Sequence, residues 1–191
     1  MRLALGTVVV LEGIDATGKS TQMELLQAQF PDEVFVHQPS GNTIVGELVY
    51  QLTESKQRLH PVTRQFLHLA AHAEQYDRVI IPALSERGVF MDRNWWSTLA
   101  YGWYTGGLKW LVDLDVFEEI VRLPTQGIMP DVVFIFLHEH ERDSHNTVAL
   151  VDAYADLAGR YPEVIEPIEI GTKQEVNGQI VRALERRKLV R

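Results

Sequence analysis

Three shortages limit what this chain can be. Cysteine is missing from its 191 residues, which excludes disulfides, thiolate zinc sites and cysteine nucleophiles and fits a reducing cytoplasm, where we expect the protein to be located. No apolar run approaches the ~18 residues that span a bilayer, so no membrane association is expected. Basic side chains number 18 against 26 acidic ones, and the net charge of −8 argues against nonspecific binding to nucleic acid.

Strand-like runs alternate with helical patterns along the whole chain, and its length fits a single domain over residues 1–191. This alternation is typical of a three-layer α/β fold, in which helices cover both faces of a parallel sheet, here with five candidate strands. The predicted strands are Val8–Leu11, Val34–His37, Gly88–Met91, Asp131–Leu137 and Val164–Ile170. The predicted helices are Lys19–Gln29, Thr43–Thr53, Pro61–Ala73 with a continuation to Ser85, Trp95–Thr105, Asp113–Val121, Thr147–Ala158 and Lys173–Arg187.

A phosphate-binding loop follows the first predicted strand. Residues Gly13–Ser20 fit the pattern G-x-x-x-x-G-K-[ST] and lie between an apolar run and a helix. In such a loop the backbone N–H groups turn toward phosphate oxygens, Lys19 can reach the outer phosphates, and the Ser20 hydroxyl can bind Mg²⁺. The positive end of the following helix acts on the same anion. The predicted nucleotide-binding residues are Gly13, Ala16, Thr17, Gly18, Lys19, Ser20 and Thr21.

An acid and an arginine come directly after the third predicted strand. Ligands of parallel sheets bind outside the carboxyl ends of the strands, so Asp92 and Arg93 are predicted to face the phosphate loop. There the carboxylate can bind Mg²⁺ or a water molecule of the ion, and the guanidinium can bind phosphoryl oxygens. An ordinary surface ion pair between the two residues is the alternative.

At this point the chain resembles the thymidylate kinase family of nucleoside monophosphate kinases. The segments that carry the resemblance are Leu11–Thr21, Ile81–Leu84, Asp92-Arg93, Ser97–Tyr101 and Met129–Val133. The resemblance implies a phosphate-loop kinase fold with a five-stranded parallel sheet, and transfer of the γ-phosphoryl group of ATP to a deoxynucleoside 5′-monophosphate with Mg²⁺. It also implies a homodimer.

The resemblance also assigns roles to individual residues. It implies that Lys19 and Arg93 act on the phosphates during transfer, and that Ser20 and Asp92 hold the metal. Asp15 resembles the carboxylate that approaches the sugar and phosphate end of the acceptor. Tyr101 resembles the aromatic under the acceptor deoxyribose, where it can crowd a 2′-hydroxyl. A simple turn role for Asp15 and half-buried helix packing for Tyr101 remain the alternatives.

The acceptor side departs from the family pattern. Where the family carries Arg-Glu-Pro-Gly-Gly, with the arginine on the acceptor phosphate, this chain has His37-Gln38-Pro39-Ser40-Gly41. The aromatic and the arginine that contact the base in the family align with His68 and His72, which share a helix face with Arg64. Imidazole protonates only conditionally near neutral pH, so thymine need not be the preferred base. The predicted acceptor-binding residues are Asp15, His37, Gln38, Arg64, His68, His72, Arg93 and Tyr101.

Two other readings of the histidine pair remain. His68 and His72 could be ordinary helix-surface residues. A metal site is less favoured, because no glutamate follows the first histidine as in H-E-x-x-H.

A short lid is predicted around residues 138–146, where the family has a longer, arginine-bearing segment. Ala16 cannot supply the cation that some relatives place in the phosphate loop. Arg142 is therefore the predicted catalytic cation of the lid, with Arg160 as the fallback. The remaining charged residues favour a solvated lid over a metal site; they are His138, Glu139, His140, Glu141 and His145.

Two rival functions stay open. A deoxynucleoside kinase shares the sheet and the phosphate loop, but that group carries Glu-Arg-Ser where this chain has Asp92-Arg93-Asn94, and a glutamate near the position of Gln38. Both differences favour the monophosphate kinase. A nonenzymatic nucleotide-binding module could have lost transfer through its short lid, although the joint presence of Lys19 and Ser20 with Asp92-Arg93 argues against it.

Overall fold

One parallel sheet organises the chain. A computed structural model describes residues 1–39, 42–53, 55, 58–137 and 148–191. Within these ranges the sheet has five strands in the order β2-β3-β1-β4-β5, and each neighbouring pair is parallel. The strands are β1 (Val8–Gly13), β2 (Val34–His37), β3 (Val89–Asp92), β4 (Val132–Phe136) and β5 (Ile165–Pro167). The central strand β1 is buried at every position, as its β-branched run predicts for a sheet covered on both faces.

Helices connect the strands. They are α1 (Lys19–Gln29), α2 (Ile44–Thr53), α3 (Pro61–Gln75), α4 (Ile81–Leu84), α5 (Trp95–Leu99), α6 (Leu114–Arg122), α7 (Val148–Arg160) and α8 (Lys173–Arg186). Wider π-helical turns follow α3 and α5, over Tyr76–Ile80 and Ala100–Thr105, and short 3₁₀ turns cover Leu108–Trp110 and Leu123–Thr125.

Local chemistry sets several of these boundaries. Pro61 starts α3 behind the exposed cap His60, whose Nδ1 accepts from the Val62 N–H. Thr172 and Glu175 form a reciprocal capping box at the start of α8. The predicted strand Val164–Ile170 is wrong in its extent, because β5 covers only Ile165–Pro167 and its pairing with β4 ends with the hydrogen bond from the Ile168 N–H to the Ile135 carbonyl.

The two faces of the sheet bury separate cores. Val8 and Val10 of β1 pack on one face against residues of α5, α6 and α7, among them Trp96, Phe117 and Tyr154. Val9 and Leu11 pack on the other face against α1 and α8. This alternation confirms the predicted three layers.

The carboxyl ends of β1, β2 and β3 lie side by side. Leu11 of β1 and His37 of β2 both lie opposite Asp92 of β3 in the strand register. The phosphate loop, the end of β2 and the Asp92-Arg93 pair therefore leave the sheet at one edge. Among the described residues, none of the helices has the length and apolarity needed to cross a bilayer.

Candidate active site

The phosphate-binding loop leaves β1 through a glycine that no other residue could replace without movement. Gly13 has φ +128°, and a Cβ built on it would lie 2.0 Å from the carbonyl oxygen of Phe136 on the neighbouring strand β4. Gly18 then caps α1 in the left-handed conformation. The loop therefore closes directly onto the positive end of α1.

The Lys19 ammonium lies inside this loop. Its side chain donates to the carbonyl oxygen of Ile14 and lies 3.5 Å from the Thr17 hydroxyl, and the residue is only 6% exposed. Burial, and next the charge of Arg93, lower the pKa of Lys19 to about 8, against the opposing effect of nearby carboxylates. The structure thus holds the ammonium where the loop would surround a phosphate.

Arg93 joins the loop to the residues predicted to meet the acceptor. Its guanidinium donates to the Gly13 carbonyl at 3.0 Å, to the Ser97 hydroxyl at 2.9 Å and to the Asp15 carboxylate. It also lies over the Tyr101 ring, 5.4 Å from the centroid, and the Tyr101 hydroxyl donates to Asp15 at 3.3 Å. The backbone of Arg93 is left-handed, with φ 68°. Three residues that the sequence predicted separately therefore form one cluster.

Asp92 faces a different partner. Its Oδ2 lies 3.1 Å from Nδ1 of His37, and its Oδ1 is buried with no hydrogen-bond partner among the described residues. Burial alone would raise the pKa of Asp92, but the hydrogen bond and charge of His37, together with the positive charges of Lys19 and Arg93, outweigh burial and lower it. Since Asp92 pairs with His37 and Arg93 with Asp15, the alternative of an ion pair between Asp92 and Arg93 is wrong.

Two adjoining cavities use these side chains. The smaller, about 340 Å³, surrounds the loop and is lined by Asp15, Ala16, Thr17, Gly18, Lys19, Ser20, Thr21, His37, Asp92 and Arg93. The larger, about 760 Å³, extends between β2, α3 and α5 and includes every predicted acceptor residue: Asp15, His37, Gln38, Arg64, His68, His72, Arg93 and Tyr101. Asp15, His37 and Arg93 line both cavities, so the two meet there.

The histidines of α3 are neutral members of the larger cavity. His72 is only 2% exposed, so its reading as a helix-surface residue is wrong. Burial, and then proximity to His68, lower the pKa of His72 to about 3. Burial, and then the charge of Arg64, lower the pKa of His68 to about 4. Neither imidazole is protonated near neutral pH.

The phosphate-binding loop and the Asp92-Arg93 pair both lie in the part of the chain that matches a known protein family. The family model described as thymidylate kinase matches residues 11–146, more than half of the chain.

The chain belongs to the thymidylate kinase family.

Individual relatives agree with this assignment. The thymidylate kinase of Pelodictyon phaeoclathratiforme is 36% identical over 132 residues, which cover 66% of this chain and 59% of that protein. The chain therefore spans about three fifths of the length of the curated relatives it matches.

Solved thymidylate kinases share the fold. The crystal structure of the Ehrlichia chaffeensis enzyme has a TM-score of 0.79 and 25% identity, and the match covers 95% of this chain and 100% of that one. The Candida albicans structure has a TM-score of 0.77 at 20% identity and covers 96% and 93%. The predicted nucleoside monophosphate kinase fold is thus confirmed.

Sequence reasoning assigned no role to Glu12, which is fully buried beneath the loop. Its carboxylate accepts from the Asn94 N–H at 2.7 Å, the Ser97 hydroxyl at 2.6 Å and the Tyr154 hydroxyl at 3.0 Å, with longer contacts to the N–H groups of Gly13 and Ser97. Burial, and then the charge of Glu12, keep the pKa of Tyr154 well above its usual value, so this hydroxyl stays a donor. An acid inside the otherwise apolar strand β1 was the signal available in the sequence.

The lid prediction lies outside the described residues, and Arg142 and the His138 to His145 cluster lie there with it. The fallback cation Arg160 is placed at the end of α7, where it donates to Asp115 at 2.8 Å and lies 2.9 Å from Glu118. Arg160 lines neither cavity, so the structure does not support it as a lid cation.

The Glu12 contacts lead to a stability prediction. Tyr154→Phe removes a hydrogen bond to a buried carboxylate, and we expect the free energy of unfolding to fall by about 1–3 kcal/mol in urea titrations. Tyr161→Phe is the matched control, because that hydroxyl, one residue after the end of α7, also donates to a carboxylate, that of Glu118, but from a half-exposed ring. Equal losses in the two variants would show that the Glu12 contact has no special weight.

His72 leads to a prediction about pH. The pKa of His72 in the folded chain, about 3, lies below the ordinary value of 6.5, so the unfolded chain takes up a proton first as the pH falls. Stability from this residue is complete above pH 6.5 and is lost on acidification, at up to about 1.4 kcal/mol per pH unit. We expect His72→Gln to flatten the unfolding free energy between about pH 6 and pH 4. His60→Asn, at an exposed cap, should leave the slope unchanged, and an equally steep slope in His72→Gln would contradict the assignment.

Proposed function

We propose that the chain transfers the γ-phosphoryl group of ATP to a deoxynucleoside 5′-monophosphate. The observation that carries the proposal is the junction of the two cavities at Asp15, His37 and Arg93. A donor triphosphate in the loop cavity and an acceptor monophosphate in the larger one would bring their phosphates together at Arg93. Holding two anionic reactants in line beside a fixed guanidinium is the main task of a phosphoryl-transfer site.

The donor side is proposed from the loop. Lys19 and the loop N–H groups would hold the β- and γ-phosphates, and Ser20 and Asp92 would hold Mg²⁺. These two groups fit the ion, because Mg²⁺ prefers oxygen ligands and the buried Oδ1 of Asp92 has no partner among the described residues. When bound, Mg²⁺ neutralises phosphate charge. The protein itself contributes position, since Asp92 is fixed by His37 and Lys19 by its own loop.

The acceptor side is proposed from the larger cavity. Tyr101, held by Asp15 and Arg93, would lie under the deoxyribose and crowd a 2′-hydroxyl. His37 and Gln38 would lie toward the phosphate and sugar, and Arg64, His68 and His72 toward the base. Arg142 is proposed as the cation that acts on the reacting phosphates from the lid. A cytoplasmic location is also proposed.

Turnover tests the proposal and separates its rivals. The protein with ATP and Mg²⁺ is offered a panel of nucleosides and nucleoside monophosphates, and ADP release is followed. We expect a deoxynucleoside monophosphate to stimulate ADP release, and Lys19→Ala to lower the stimulated rate about a hundredfold or more, because the ammonium stabilises the transferring phosphates. Lys109→Ala, at an exposed position, should match the unaltered protein.

The pattern of acceptors identifies the alternatives. Stimulation by nucleosides alone would favour a deoxynucleoside kinase. ATP binding without stimulation by any acceptor would favour a nonenzymatic nucleotide-binding module and would overturn the kinase proposal.

A homodimer is proposed with the enzyme. Three apolar side chains at four-residue spacing, Ile44, Leu48 and Leu52, are exposed along α2, and Phe66 is exposed on α3, which packs against α2. A second copy of this chain would cover such a stripe. Sedimentation equilibrium should give twice the chain mass, and Leu48→Glu should shift it toward one chain. A single-chain mass for the unaltered protein would rule out the dimer.

A further inference from the structure

The larger cavity contains a buried carboxamide that the proposed function does not yet use. Gln65 lies on α3, three residues before His68 and seven before His72, so all three share one helix face. The residue is 7% exposed, lines the cavity, and its Oε1 has no hydrogen-bond partner among the described residues. A buried carboxamide oxygen without a partner is costly unless a ligand supplies the missing donor.

A glycine on the facing helix makes room for this side chain. A Cβ on Gly102 would lie 2.7 Å from Cδ of Gln65 and 2.9 Å from both its Nε2 and its Oε1. Gly102 lies inside the π-helical turn that also carries Tyr101, where alanine would be the better helix former. The carboxamide is therefore held beside the residue proposed to lie under the acceptor sugar.

The other groups on this face are uncharged or already engaged. His68 and His72 are neutral because burial lowers the pKa of each. Arg93 is bound to Asp15, Gly13 and Ser97, while Arg64 is half-exposed and donates to the Thr53 carbonyl at 3.4 Å. An arginine can only donate hydrogen bonds, whereas a carboxamide offers a donor and an acceptor side by side and exchanges them by turning over.

We propose that Gln65 is a specificity-determining residue, and that its carboxamide lets the site accept 4-amino as well as 4-keto pyrimidine deoxynucleoside monophosphates. This inference rests on the proposed function. A 4-keto base such as thymine offers a ring N–H beside a carbonyl, and a 4-amino base such as cytosine offers an amino group beside a ring nitrogen. One orientation of the carboxamide complements the first edge and the opposite orientation complements the second. A site that reads the keto oxygen through a donor-only cation would reject the amino base.

Steady-state kinetics with dTMP and dCMP test the proposal. We expect the two kcat/KM values of the unaltered protein to lie within about tenfold of each other. Gln65→Glu replaces the carboxamide by a group of the same shape that, when ionised, only accepts. Cytosine can take up a proton on its ring nitrogen and then offers two donors to the carboxylate, whereas thymine offers one donor and places its 4-carbonyl oxygen against the other carboxylate oxygen. The variant should therefore move the dCMP to dTMP ratio at least about tenfold toward dCMP. A purely structural role for Gln65 would lower both values and leave their ratio unchanged.

Two further variants keep the test decisive. Gly102→Ala displaces the carboxamide without altering it, and should lower kcat/KM for both acceptors. Gln27→Glu makes the same chemical change at an exposed position of α1 and should leave both values unchanged. A preference of more than a hundredfold for dTMP in the unaltered protein, or an unchanged ratio in Gln65→Glu, would overturn the proposal.

Binding measured without ATP separates this inference from the proposed function. Isothermal titration of dTMP and dCMP into the unaltered protein and Gln65→Glu reports base selection in the absence of turnover. If neither nucleotide is phosphorylated but the ratio of their affinities shifts in Gln65→Glu, the transfer function fails and the role of Gln65 stands. If both nucleotides are phosphorylated with no shift in either measurement, the role of Gln65 fails and the function stands.

Discussion

The buried carboxylate of Glu12 is the contact on which the site depends. It lies at the end of the central strand and binds groups from the start of α5 and from α7, so three elements meet at one side chain. Ser97 links Glu12 to Arg93, because its hydroxyl donates to the Glu12 carboxylate and accepts from the Arg93 guanidinium. An unpaired buried charge would cost several kcal/mol, so these partners are effectively obligatory. The position of Arg93 is therefore tied to the sheet itself.

Charge is distributed unequally between the two cavities. The loop cavity contains the Lys19 ammonium and the lowered-pKa carboxylate of Asp92. Within the larger cavity, α3 contributes the neutral imidazoles of His68 and His72 and the carboxamide of Gln65, with Arg64 as its cation. Phosphates carry full charge and a nucleobase carries none, so each region matches one part of a nucleotide. An acidic protein can hold an anionic ligand in this way, since a few placed cations determine the local field.

Local sequence patterns predicted much of this arrangement. The loop, the five strands and the presence of a carboxylate next to an arginine after β3 follow from short motifs and from hydrophobic alternation, which act within a few residues. The partners of those side chains could not be predicted in the same way. Contacts between distant segments depend on the folded geometry alone. Three examples are the ion pair of Arg93 with Asp15, the hydrogen bond of Tyr154 to Glu12, and the close approach of Gln65 to Gly102. The π-helical turns were missed because their hydrophobic spacing resembles that of an ordinary helix.

The left-handed backbone at Arg93 restricts what evolution or design can place there. Glycine and asparagine adopt this conformation most readily but would remove the cation. Lysine would keep the charge but lacks the planar fork that reaches a carbonyl, a hydroxyl and a carboxylate together. Conformation and chemistry thus favour different residues at the same position. The contacts of the guanidinium offset the backbone strain at this position, so a change of the residue removes the contacts that make its conformation tolerable.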